Sequence, residues 1–495
     1  MRLTASKSIF RTSGYVNGNW VAEVSGGTFN VLNPASGKVI ASLPAMDAGH
    51  VEEASAAAFT AWKGWKIRTC KERSAVIGRM ADLMKTYSGE LAEIITLESG
   101  KPLAEAKGEV NYALSFYEYY AEEAKRMRGD VLPHPVNGRR LMAVKESVGP
   151  AGIITPWNFP SAMITRKAGA ALAAGCSVVI KPSEETPLSA LALCAIAEEA
   201  GLPAGVMNCL PVARAQAADV GEALCKSADI RKVSFTGSTP VGKTLLRHCA
   251  DGVKKVSMEL GGNAPFLIFD DADLDVAVSA LMAAKFRNAG QACIAANRIL
   301  VQRGVVEELT EKLVTKVRKL KCGDGMEAGT SMGPLINAGG LAKVQRQVAS
   351  CLEAGAKAAV GGAVSANLNA AGGTYFQPTV LTGVTRDMAP FSEETFGPVA
   401  PITVFDTYEE AVEIANDTPF GLAAYACTRD LARAFSLSED LDAGMVGINE
   451  GAISSELAPF GGVKESGLGR EGSYNGMDEY CEVKYVCFGL GKDAK

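Results

Sequence analysis

From residue 47 to about 127 the apolar positions follow helical spacing, through DAGHVEEASAAAFTAWKGW and then KERSAVIGRMADLMKTYSGELAEIITLESG. That pattern predicts a run of helices. The period then changes. In GDVLPHPVNGRRLMAVKESVG two extended runs meet at Asn137-Gly138, a hairpin signal, and YVNGNWV near the N-terminus carries the same signal. From Ala151 short apolar runs alternate with helical segments. GIITPW reads as a strand, and PSAMITRKAGAALAAG as a helix with Pro160 near its start and Gly175 beyond its end. SVVIKPS, VMNCLPV and RKVSF read as further buried strands with helices between them. Such alternation predicts a parallel sheet covered by helices on both faces. A second α/β block follows over 259–470, and the closing YCEVKYVCFG alternates as a half-buried strand would.

Composition narrows the function classes. The 495 residues are 47% hydrophobic and 21% charged, with a net charge of −5, which allows a large core in two or three domains. No block of like charge suggests a nucleic-acid or membrane surface. No apolar run reaches the ~18 residues of a membrane span. Twelve Cys form no C-x-x-C pair and read as reduced thiols in an intracellular protein, eleven of them as core packing. Three His, at 50, 134 and 248, leave little scope for a metal site or a Ser-His-Asp triad, so no metal is expected and a catalytic base is expected to be a carboxylate. The start, MRLTASKSIFRTSGYVNGNW, is basic like a transit peptide, but the early hairpin leaves little room for one. A cytoplasmic location is expected, with the mitochondrial matrix as alternative.

The stretch FTGSTPVGKT, 235–244, fits the phosphate-binding pattern G-x-x-x-x-G-K-[ST], and FLIFDD at 266–271 imitates the accompanying Asp. Two physical points oppose an NTPase. Pro240 has no N–H to offer a phosphate, and Thr239-Pro240 is a good helix start with Thr239 as cap. DDADLD reads as acids opening a helix, and it fails the calcium-loop pattern by having Val276 where Gly is needed. A glycine turn before a helix can still hold a pyrophosphate.

Four further stretches carry candidate chemistry: TPWNFP, KPSEETP, SMELGGNAPF and FRNAGQACIAANR. Cys293 follows a polar turn, and Glu259 precedes Gly261-Gly262, where a ligand could approach backbone. With FTGS and EETFGP these motifs stand in the order and spacing of the aldehyde dehydrogenase superfamily, which the chain resembles over essentially its whole length. The resemblance implies an α/β fold: a Rossmann-like NAD-binding domain (1–127 and 150–258), an α/β catalytic domain (259–470) and a β-hairpin oligomerisation element (128–149 and 471–495).

The resemblance also implies roles. Cys293 would add to the aldehyde, and the Asn158 amide with the Cys293 N–H would hold the oxyanion. Glu259 would be the base that activates the hydrolytic water. Lys181 and Glu184 would contact the adenosine ribose, Gly237 and Ser238 the pyrophosphate, and Glu394 the nicotinamide ribose. Trp157, Leu260 and Phe396 would border the cofactor. Because the Glu184 carboxylate accepts ribose hydroxyls and repels a 2′-phosphate, NAD is expected over NADP, with NADP possible.

Within the family the chain looks most like succinate-semialdehyde dehydrogenases, through TRKAGAALAAGC, GGNAPFLIFDDADLD and GGVKESGLGREGS. That likeness implies oxidation of succinate semialdehyde to succinate, as in GABA degradation. Arg166 and Arg287 would hold the substrate carboxylate and Ser454 would add a hydroxyl contact. Without the likeness each Arg reads as a structural ion pair. Glutarate semialdehyde, one methylene longer, is one alternative, since a methylene is worth only ~1–3 kcal/mol, and a broad-specificity aldehyde dehydrogenase is another. Ala295 stands where several subgroup members have a second Cys, so no local disulfide lock is expected. The hairpin and C-terminal strand match the family's oligomerisation element, so the resemblance implies a homo-oligomer, a tetramer built from dimers, with a dimer as alternative.

Overall fold

The computed structural model describes residues 9–491. The segment MRLTASKS, on which part of the presequence argument rests, lies outside them. The stretch with helical spacing forms four helices, Ala48–Trp65, Cys70–Thr86, Ser88–Ser99 and Leu103–Glu123. The first two begin at side-chain caps: Asp47 accepts from the Gly49 and His50 N–H groups, and Thr69 from that of Glu72.

An eight-stranded sheet has a parallel core of five strands, Met207–Cys209, Val178–Lys181, Ala151–Ile154, Lys232–Thr236 and Lys255–Glu259, in that spatial order. In chain order this is 3-2-1-4-5, the doubly wound arrangement. The order reverses between Ala151–Ile154 and Lys232–Thr236, so a crevice opens at their carboxyl ends. Antiparallel strands close both edges. On one side Gly14–Val16 turns at Asn17 (φ 50°) and Gly18 (φ 77°) into Asn19–Val21, the predicted Asn-Gly hairpin. On the other, Gly467–Leu468 returns from late in the chain to pair with Lys255–Glu259.

The helix Ala162–Ala174 is buried at every residue, so its small side chains decide its packing. A Cβ on Gly169 would stand about 3 Å from the rings of Tyr117 and Tyr120. This close crossing brings the helix Leu103–Glu123 over the carboxyl end of the sheet. A second sheet of seven strands is parallel except for the strand Lys357–Val360 at one edge.

The predicted hairpin at Asn137-Gly138 is present: Asp130–Leu132 pairs with Arg139–Ser147, and Cys481–Gly489 adds a third antiparallel strand. This last strand is not half-buried as its alternation predicts. Val483, Tyr485 and Phe488 are 67%, 61% and 47% exposed, because none of the described residues covers them.

The phosphate-loop pattern resolves into a strand, a turn and the helix Thr239–Ala250. The cap lies one residue earlier than expected, at Ser238, and Thr239 is already helical. Its hydroxyl bonds the Glu465 carbonyl instead. Lys243 pairs with Glu465 at 2.7 Å, so the lysine such a loop would aim at phosphate is engaged elsewhere. Asp271 accepts hydrogen bonds from Thr428, Arg429 and Asp430, and Asp273 caps the helix Leu274–Phe286. Eight of the twelve Cys are buried, but Cys70 and Cys487 are exposed, which corrects the core reading for those two.

Candidate active site

The motifs TPWNFP, KPSEETP, FTGS and SMELGG lie at the carboxyl ends of strands or in the turns after them, whereas FRNAGQAC follows a helix and EETFGP leads into a strand. The strand Ala151–Ile154 runs into Trp157 and Asn158, Lys232–Thr236 into Gly237 and Ser238, and Lys255–Glu259 ends on Glu259 and delivers Leu260. These turns are fastened to one another: the Gly237 N–H donates to the Glu259 carbonyl at 3.0 Å. A Cβ on Gly237 would lie 2.4 Å from the Phe235 ring, so only glycine fits there.

Cys293 arrives from the other sheet. The helix Leu274–Phe286 ends, and Asn288, Ala289 and Gly290 take left-handed backbone (φ 52°, 54° and 73°). Such conformations are costly for Asn and Ala and persist only when their surroundings impose them. Here the Asn288 side chain donates to the carbonyls of Asn158 and Gln291, its N–H donates to Glu105, and a Cβ on Gly290 would lie 2.1 Å from the Gly397 carbonyl oxygen. The bend lifts Cys293 into the crevice, partly accessible. Gly262 passes so close that a Cβ would lie 2.6 Å from the Cys293 carbonyl oxygen, which accounts for the second glycine of the Glu259 motif.

Asn158 is buried beside this thiol. Its amide oxygen accepts from the Phe159 N–H at 3.1 Å, which turns the amide nitrogen toward the Gln291 carbonyl at 3.2 Å and the crevice. Glu259 is fully buried and neither carboxylate oxygen has a hydrogen-bond partner. Burial and the nearby Glu471 carboxylate push its proton affinity well above the usual range, against the pull of Arg166, Lys167 and Arg470. Burial likewise pushes the Cys293 thiol up to about 12, although Arg166 and Arg287 act the other way. Burial thus disfavours the charged form of both the thiol and the acid.

Two spaces meet at Cys293. One is a cleft of about 1100 Å³ lined by Trp157, Asn158, Gly237, Ser238, Leu260, Cys293, Glu394 and Phe396. Trp157 and Phe396 meet edge to face at 5.4 Å, and Glu394 accepts from the Gly262 N–H at 3.3 Å. Burial holds the Glu394 carboxyl up to about 7. Arg214 and Lys343 also line this cleft, and the sequence reading missed both. Lys181 and Glu184 do not line it. They sit at the next strand end, 4.0 Å apart, where burial lowers the Lys181 ammonium. The residues fit a dinucleotide: a glycine turn opening onto helical N–H groups, an aromatic pair, and two carboxylates able to accept ribose hydroxyls.

The second space is a chamber of about 280 Å³ behind Cys293, walled by Tyr112, Phe159, Arg166, Arg287, Ser454 and Phe460 among others. All three predicted substrate contacts are here, but two are differently occupied from the expectation. Arg166 is fully buried, its Nε 2.5 Å from Glu471 and its plane 4.2 Å over Phe460, so the ion-pair reading and the chamber reading both hold. Its Nη1 has no partner. The Ser454 hydroxyl is hydrogen-bonded to Tyr112, a residue no sequence signal pointed to. Arg287 stacks 5.2 Å over Phe159. Lys167 completes the set under Glu259, paired with Glu471 and donating to Ser234. Arg166-Lys167 and Glu471 lie inside TRKAG and REGS, and two adjacent cations in an otherwise apolar helix were the available signal. Among the described residues no cluster of three His, Cys, Asp or Glu is placed to hold a metal ion, and no helix is long and apolar enough to cross a membrane.

Fold and site together describe a dinucleotide-dependent enzyme in which a cysteine stands at the switch point of a doubly wound sheet. The sequence profile of the aldehyde dehydrogenase family matches residues 20–486. A 3-sulfolactaldehyde dehydrogenase of Pseudomonas putida is 52% identical, over 97% of this chain and 98% of its own. A glutarate-semialdehyde dehydrogenase of Pseudomonas aeruginosa is 50% identical, over 99% and 100%. The crystal structure of a succinate-semialdehyde dehydrogenase from Burkholderia pseudomallei superposes with a TM-score of 0.96 at 49% identity, covering 99% of this chain and 100% of that one. The chain belongs to the aldehyde dehydrogenase family.

Proposed function

We propose that the protein oxidises an aldehyde bearing an anionic group at its far end, succinate semialdehyde foremost, to the corresponding acid. The observation that carries this reading is the unpartnered, buried Nη1 of Arg166 in the wall of the chamber that also holds Cys293 and Arg287. A buried guanidinium N–H without an acceptor is costly, and a substrate carboxylate satisfies it through a charge-assisted hydrogen bond.

The Cys293 thiol gives its proton to solvent water and its sulfur adds to the aldehyde carbon, and the charge developing on oxygen is met by the Asn158 amide and the Cys293 N–H. Glu394, Gly237, Ser238, Lys181 and Glu184 would hold a nicotinamide dinucleotide, which when bound would supply the acceptor for the hydride lost by the adduct, so that Cys293 is left as a thioester. Glu259, once deprotonated, takes a proton from the water that attacks this thioester, which releases the acid and restores the thiol. Glu184 favours NAD, and NADP is accepted less well. The division into a cofactor domain (1–127, 150–258), a catalytic domain (259–470) and an assembly element (128–149, 471–495) accords with the three larger sheets. The exposed apolar strand at Val483, Tyr485 and Phe488 suits burial in a homo-oligomer, a tetramer of paired dimers. Twelve cysteines, none in a disulfide, suit a reducing compartment, which favours the cytoplasm.

A second reading takes the anion as a sulfonate, as the name of the Pseudomonas putida relative suggests. Guanidinium donors serve either anion, so chamber length and shape decide. The test follows nicotinamide reduction with succinate semialdehyde, glutarate semialdehyde, 3-sulfolactaldehyde and butanal. The highest kcat/KM is expected for succinate semialdehyde and the lowest for butanal. Equal use of butanal would sink the anion-recognition reading, and a best rate with the sulfonate would transfer the assignment to it.

A further inference from the structure

The helix Leu103–Glu123 reaches the reaction centre through its first turns. Lys101, just before it, and Glu109 form an ion pair with both side chains 1% exposed. Lys101 Nζ also donates to the Asn158 carbonyl at 2.8 Å and lies 4.2 Å over the Phe159 ring. Glu109 accepts from the Ser161 N–H at 2.9 Å and from that of Ala162 at 3.4 Å. The pair thus fastens the short loop that carries the Asn158 amide at Asn158 itself and where the loop enters the helix Ala162–Ala174. Glu105, one turn before Glu109, accepts from the Asn288 N–H at 2.8 Å, and the Asn288 side chain returns to the Asn158 carbonyl at 3.0 Å. One helix therefore holds the loop of the oxyanion donor and the turn that delivers the nucleophile.

A buried ion pair adds little net stability over an apolar pair of the same shape, because desolvating both ions offsets their attraction. What this pair adds is register. Asn158 stands on a loop, where an amide is held to useful precision only if the surrounding backbone is fixed. We propose that Lys101 and Glu109 are positioning residues that hold the Asn158 amide at the oxyanion site, with Glu105 setting the turn of Cys293 against it. This rests on the reading of Asn158 as oxyanion donor.

The test is a double-mutant comparison on the full chain with NAD and succinate semialdehyde. Lys101→Met combined with Glu109→Gln removes both charges but keeps an acceptor for Ser161. It is expected to lower kcat by about 10- to 100-fold with KM values and the alkylation rate of Cys293 by iodoacetamide unchanged. In an Asn158→Ala background the same pair change should cost less than about twofold, since the group it positions is gone. An equal loss in both backgrounds overturns the inference, because the pair then acts on the fold. If Asn158→Ala itself leaves kcat unchanged, the oxyanion reading fails first and the inference with it. Should the paired variant not fold, Lys101→Arg decides, since it keeps the charge but moves the donor. A kcat loss that vanishes without the Asn158 amide supports positioning, and a loss independent of it, or no loss, overturns it.

Discussion

The cofactor cleft and the substrate chamber share Cys293 but are built in opposite ways. The cleft, about 1100 Å³, is made of strand ends and turns, with glycines where a Cβ would collide and few charged side chains at its surface. The chamber, about 280 Å³, is made of side chains from four separate segments, around Tyr112, Phe159 to Arg166, Arg287 to Ile294 and Ser454 to Phe460, with a buried cation in its wall. Backbone geometry survives changes of sequence as long as the glycines remain, so the cleft suits a cofactor common to many substrates. A chamber of side chains can be retuned one residue at a time. Relatives near 50% identity that carry names of different semialdehyde or sulfonate substrates fit that division.

The largest expected effects fall where the two spaces meet. Cys293→Ser should lower kcat by at least about 10³-fold while leaving NAD binding, followed by fluorescence, within about twofold, because the weaker nucleophile sits in an unaltered cleft. Glu259→Gln should separate the steps: single-turnover hydride transfer persists while steady-state turnover falls by about 10²- to 10⁴-fold. The wild-type hydrolysis rate should climb with pH. The proton affinity of Glu259 is raised by burial and by Glu471, so the basic form gains population as pH rises through that raised value. A pH-independent turnover across the neutral and alkaline range would remove Glu259 from the role of base.

Next in size is a change confined to the chamber. Arg287→Ala should reduce kcat/KM for succinate semialdehyde by about 10- to 100-fold, the worth of one charge-assisted hydrogen bond, and leave butanal nearly unchanged. Arg287 is the cleaner probe. Removing Arg166 also strips Glu471 of a partner in the buried network and so damages folding as well as recognition. An equal loss with both aldehydes would show that Arg287 supports Phe159 and does not read the anion.

The same division explains what the sequence makes legible. Strand runs such as SVVIKP and the Asn17-Gly18 turn follow from local pattern, because burial on both faces and positive φ each leave a composition behind. Cys293 and Glu259 stand out by their motif neighbours, since glycines record where backbones must approach. The chamber is different. Tyr112, Glu471 and Lys101 reach the site across 342, 304 and 57 positions of chain to their partners Ser454, Lys167 and Asn158, and no local spacing encodes such pairings. Arg166 shows the limit most clearly: resemblance points to its place in the chamber but not to the ion pair with Glu471 that fixes it there. The exposed C-terminal strand shows another, since alternation signals a face to be covered without saying that none of the described residues covers it.

The smallest effect sharpens the cleft side of the comparison. Glu184 is partly exposed and 4.0 Å from Lys181, so its field on a 2′-phosphate is screened by water and partly balanced by that ammonium. Two charges 4 Å apart interact by about 1 kcal/mol in water and by about 4 kcal/mol near a protein surface. Glu184→Ser removes this repulsion, leaves Lys181 free to meet the phosphate, and gives up the carboxylate proposed to accept from the ribose hydroxyls of NAD. Both changes point the same way, so the ratio of kcat/KM with NADP to that with NAD should rise by about 10-fold or more. The preference between succinate semialdehyde and butanal should not move, because no part of the chamber is touched. If cofactor preference stayed fixed, recognition of the 2′ position would have to lie with another cation, such as Arg214, which lines the cleft together with Lys343 and pairs with Glu185 at 3.8 Å. If substrate preference moved as well, the two spaces would be coupled through Cys293 and not independently built.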